Sequence, residues 1–82
     1  MENNQRTEEL ATLMYRITSI IREAYELECT LVKGRYSVEE SLRRAKTGAN
    51  TRYKNLQKSI CAILADEDER EYVQNFPLVL ED

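Results

Sequence analysis

LATLMYRITSIIREAYELECTLVKG, residues 10–34, decides how this chain folds. Within it Leu10, Leu13, Ile17, Ile20, Ala24, Leu27 and Leu31 follow one another at alternating steps of three and four, the spacing that keeps side chains on one face of a helix. Met14, Ile21 and Val32 widen that stripe to roughly 140° when each residue turns by about 100°. A single neighbouring helix covers less than that, so the helix is expected to meet more than one partner. The helix is expected over about 7–33, with Asn4 or Thr7 as its cap and Glu8 and Glu9 facing the positive end of the helix dipole. Gly34, free to take the left-handed conformation that ends helices, marks the stop, with Lys33 in the last turn.

Beyond it, Ser37 and Glu40 read as a capping box, in which the hydroxyl accepts from an amide one turn in and the carboxylate reaches back. A second helix therefore begins at Val38. Its apolar positions Val38, Leu42, Ala45, Ala49, Tyr53 or Arg52, Leu56, Ile60 and Ile63 stay nearly in phase through the segment KTGAN, which argues for one helix over about 38–65. A break near Gly48 is the alternative, because Gly costs about 1 kcal/mol relative to Ala in a helix interior and Thr47, Asn50 and Thr51 are poor helix formers. Asp66 and Glu69 repeat the capping pattern and open a short helix over about 67–75, which Pro77 prevents from continuing. The remaining extended tail, 76–82, reads either as a strap over the helices or as a peptide motif for a partner.

The fold class expected is all-α: an antiparallel helical hairpin, roughly 40 Å long at about 1.5 Å per residue, with a short C-terminal third helix. Its 82 residues form a single domain, and so short a chain buries too little surface to be robust alone, which calls for a disulfide, a metal or another chain. Cys29 and Cys61 are the two cysteines and there is no His. Four-ligand zinc sites built from Cys and His are thereby excluded. The hairpin sets the two thiols about 30 Å apart, far beyond the roughly 7 Å that a disulfide tolerates between Cα atoms. Completion by self-association into a bundle is the remaining expectation.

Charge is segregated along the chain. Residues 1–32 carry three basic and six acidic side chains, residues 33–58 eight and two, and residues 59–82 one and seven, for a net charge of −3. Lys33, Arg35, Arg43, Arg44, Lys46, Lys54 and Lys58 are therefore candidate phosphate contacts of a small helical dimer that binds RNA or DNA. A helix-turn-helix centred on Gly48 does not fit, because Arg44 and Lys54 would occupy its buried positions. The competing explanation pairs the basic centre with Glu23, Glu26 and Glu28 of the first helix or with the acidic 66–71 segment.

Catalysis has little to work with. Without His the commonest general base is absent and neither thiol has the usual activating imidazole. The two glycines lie fourteen residues apart and make no phosphate cradle. The acidic run 66–69 lacks the glycine turn of a calcium loop. No catalytic residue, cofactor or metal site is expected, and no apolar run approaches a membrane span. The opening MENNQRTEEL has acids and amides where a secretory signal is basic and then apolar, which points to an intracellular, cytoplasmic protein with reduced thiols.

The function expected is that of a non-enzymatic protein–protein interaction module, an adaptor, regulator or inhibitor that assembles or inhibits a larger complex by helix-face docking. Its partners would be a second copy of itself and another protein. The expected contact surface is Met14, Ile21, Tyr25 and Val32 on the first helix, with Arg43, Arg44 and the tail residues Phe76, Leu78 and Leu80 supplying selectivity.

Overall fold

A computed structural model describes residues 2–31 and 37–80. Three helices follow in order: α1 over Glu2–Leu31, α2 over Val38–Ile63 and α3 over Glu67–Asn75. α1 and α2 form the hairpin, and α3 packs mainly on α2 and to a lesser extent on α1. The chain is all-α, and no strand occurs among the described residues.

α1 starts earlier than its sequence suggests. Residues 2–9 contain no Gly or Pro to stop the helix, so Asn4 and Thr7 lie inside the helix rather than at its cap. An ion pair of 2.9 Å between Arg6 and Glu69 ties this first stretch to α3. Val32, Lys33, Gly34 and Arg35, and with them the expected helix stop, lie outside the described residues.

α2 begins as expected. The Ser37 hydroxyl accepts from the Glu40 amide at 3.1 Å, and Ser37 itself has the extended backbone of a cap. The Glu40 carboxylate is engaged by Arg43 and Arg44. The helix runs unbroken through Gly48 to Ile63, where the Leu64 amide closes on the Cys61 carbonyl at 3.2 Å. Asp66 caps α3 by accepting from the amides of Asp68 and Glu69. Pro77 follows the last turn, and residues 76–80 continue without regular structure.

One seam of side chains makes the core. Leu10, Met14, Ile21 and Tyr25 of α1 meet Ser41, Ala45, Ala49 and Tyr53 of α2, with Val73 closing the seam from α3. Large residues on α1 thus lie against small ones on α2, and this lets the two backbones approach. The tail is a strap: Phe76, Leu78 and Leu80 are half-buried against the core, and Phe76 stacks edge-on with Tyr72 at 5.8 Å. Cys29 and Cys61 are free and half-buried. The molecule is a rod of 52 × 19 × 16 Å with a radius of gyration of 15.1 Å. A compact chain of this length would have about 12 Å, so a large share of the apolar side chains stays near solvent.

Candidate docking face

α1 carries two apolar rows about a quarter turn apart. The first, Leu10, Met14, Ile21 and Tyr25, is buried against α2. The second is Leu13, Ile20, Ala24, Leu27 and Leu31, and it faces solvent: Leu13 is 41% exposed, Ile20 63%, Leu27 59% and Leu31 72%. Leu10 and half-buried Ile17 stand between the rows and belong to both.

The two flanks of the hairpin differ sharply. α3 hangs on one flank, where the Gln57 amide donates to the Val73 carbonyl at 2.9 Å and the Cys61 thiol to the Arg70 carbonyl at 3.6 Å. The strap continues over the same flank, its Phe76, Pro77 and Val79 lining a shallow groove with Tyr15, Ser19 and Arg22 of α1. Arg22 stands about half a turn around α1 from Leu13 and Leu31. The exposed row therefore looks out from the opposite flank. Glu28 and Arg52 cross between α1 and α2 on that side with an ion pair of 3.2 Å. On α2, Ile63, 82% exposed, stands nearly opposite Cys61 and extends the apolar flank at the open end of the hairpin.

The expected contact surface on α1 is corrected by this arrangement. Met14 at 0% exposure, with Ile21 and Tyr25 at 4% each, is core, and a partner cannot reach these residues without opening the hairpin. Val32 lies outside the described residues. Phe76, Leu78 and Leu80 are half-buried against the chain's own core. The stretch of α1 named as its main helical stripe, from Leu13 to Leu31, supplies the exposed face instead. Periodicity alone reveals that row, but not which of two neighbouring rows turns to α2.

Half of the basic centre is spoken for. Arg43 and Arg44 both bind the Glu40 carboxylate, at 2.6 and 3.1 Å, and Arg52 binds Glu28. Arg43 holds the Glu40 carboxyl below the ordinary glutamate value, helped by Arg44, and Glu40 raises the Arg43 pKa in return. Lys46 is half-buried with an interaction of its own. Lys54 and Lys58 are exposed on the side of α2 turned away from α1 and make no ion pair among the described residues. Lys33 and Arg35 lie outside the described residues. Two cations one turn apart attract phosphate weakly.

Among the described residues there is no group of three or more His, Cys, Asp or Glu placed to hold a metal, and no helix is long and apolar enough to cross a membrane. Comparison with known proteins adds no relative: no family model matches the chain, and neither a curated protein nor a solved structure matches it.

Proposed function

We propose that this protein is a non-enzymatic protein–protein interaction module, assembling or inhibiting a larger protein complex by helix-face docking. One observation carries the reading. α2, α3 and the strap are all used to cover one row and one flank of α1, and a second row, Leu13 to Leu31, is left in water. Scattered exposed apolar residues are ordinary on a protein surface, whereas a contiguous row of them on a rigid helix marks a contact face. On such a face the apolar side chains supply affinity and the bordering charges Arg16, Glu23 and Arg52 select the partner.

A photo-crosslinking residue in place of Leu27, with a control in place of Lys58 on the outer side of α2, tests the reading in cells that express the protein. Adducts from position 27 and none from position 58 are expected. No adduct from position 27 would overturn it. Phosphate binding through the basic centre has less support, because three of its arginines already hold carboxylates.

A further inference from the structure

Taking the exposed row as a docking face, as proposed above, we infer that its occupant is a second copy of this chain. α1 of the two copies would pair antiparallel, in the register that sets Leu10 against Leu27, Leu13 against Ala24 and Ile17 against Ile20 of the second copy.

The repeat of the row is the first ground. Leu10, Leu13, Ile17, Ile20, Ala24 and Leu27 alternate by three and four, a 3.5-residue period that keeps in step with another helix of the same period. The row buried against α2, Leu10, Met14, Ile17, Ile21 and Tyr25, advances by four, three, four and four. α1 thus holds one seam shaped by α2 and a second, coiled-coil-like seam about a quarter turn away. That is the position of a corner helix in a four-helix bundle, which touches two neighbours. From Leu10 to Leu27 the seam is about 26 Å long at 1.5 Å per residue.

Charge then selects both direction and register. Along the edge of the row that faces away from α2 stand Glu9, Arg16 and Glu23, seven residues apart and all exposed. Among the described residues Arg16 and Glu23 make no ion pair. In an antiparallel pair these edges face each other. With Ile17 opposite Ile20, Arg16 of each copy meets Glu23 of the other, giving two pairs related by a twofold axis between residues 18 and 19. Sliding one heptad in one direction sets Glu23 against Glu23. Sliding the other way sets Arg16 against Arg16 and Glu9 against Glu23. A parallel pair brings Glu23 against Glu28, which already holds Arg52. Of these arrangements one alone satisfies its edge charges, and a contact of this kind, the same patch on both partners, closes on itself as a dimer.

Sedimentation equilibrium on the full chain and on R16E, E23R and the double variant R16E/E23R tests the inference, with circular dichroism confirming helix content. The wild type should sediment at twice the 9.6 kDa chain mass. Each single reversal creates two like-charge contacts and should weaken the dimer about tenfold at low salt, less at high salt. The double variant re-forms both pairs with opposite polarity and should recover most of the loss. A monomeric wild type would overturn the inference, as would a dimer indifferent to the single reversals or one not rescued by the double variant. Crosslinks from position 27 to other proteins together with a monomeric chain would discard the second copy and keep the docking face. The absence of both would discard the two together.

Discussion

The phenolic hydroxyl of Tyr53 donates a hydrogen bond of 2.7 Å to the backbone carbonyl of Phe76. α2 thereby holds the strap at the point where it leaves α3, and the neighbouring Gln57 holds the last turn of α3 through the Val73 carbonyl. Tyr53→Phe keeps the buried ring and removes the donor, leaving a half-buried carbonyl unpaired. A net hydrogen bond is worth about 1 kcal/mol, and an orphaned buried acceptor costs up to about 3 kcal/mol. The variant should lose between those amounts in urea unfolding. Residues 76–80 should exchange their amide protons faster, whereas the helices should be little changed.

The same hydroxyl gives an alkaline dependence. Burial pushes the Tyr53 phenol above the ordinary tyrosine value, against the opposing influence of Gln57. Unfolded chains begin to ionise at about pH 10, while the folded chain still holds its proton, so folding loses free energy as pH rises from that value through the folded one. Below about pH 10 the contribution is fully present. The difference in thermal midpoint between the wild type and Tyr53→Phe should shrink over this alkaline window. A constant difference would show that Tyr53 ionises equally in both states.

Gly48→Ala should stabilise the protein. Gly48 sits inside a continuous α2, and the atoms nearest to a Cβ there are those of the Arg52 guanidinium, at 3.6 to 3.8 Å, an ordinary contact with a flexible group. The gain in helix propensity is about 1 kcal/mol, which raises the melting temperature of a domain this size by roughly 4–8 °C. A fall in melting temperature would mean that the Arg52 side chain, which holds Glu28, cannot move aside.

Much of this architecture is local and therefore legible from the chain. Ser37 and Asp66 announce helix starts through hydroxyl and carboxylate caps, Pro77 announces a stop, and the apolar phase carries through Gly48. The rotation of α1 about its own axis is not local. Leu10 and Ile17 serve either row, and what turns Met14, Ile21 and Tyr25 inward is the shallow surface that Ser41, Ala45 and Ala49 offer across the seam. Only the two helices together specify that fit, so the residues expected to dock are core and their neighbours face water. The pairing of Arg43 and Arg44 with Glu40 follows helix spacing, whereas the expected capping box assigned that carboxylate to the start of α2.

Glu40 links that pairing to acid stability. Its carboxyl lies below the ordinary value because Arg43 and then Arg44 favour the anion. The contribution is present above the unfolded value of about 4.3 and is lost as pH falls through the lower folded value. Glu40→Gln should therefore flatten the acid limb of the melting curve below about pH 5. It also releases the Arg43 guanidinium from its carboxylate partner. If the basic centre binds phosphate, this variant should bind a mixed-sequence duplex more tightly than the wild type at low salt. Equal binding would remove the centre as a phosphate site.

The small side chains of α2 give the sharpest test of the seam. Ala49 is fully buried, and Ala49→Leu would push α2 away from α1 at a cost of about 1–3 kcal/mol. Ser41, at the other end of the row, is also buried, and its hydroxyl has no hydrogen-bond partner among the described residues. Ser41→Ala removes that unpaired oxygen without adding volume and improves helix propensity, so it should gain roughly 0.5–1.5 kcal/mol. Opposite signs for two substitutions in one row would show that it is packed for closeness and not for polarity. Two-state urea unfolding of both variants measures this. A destabilised Ser41→Ala would mean that its hydroxyl has a partner in the folded chain.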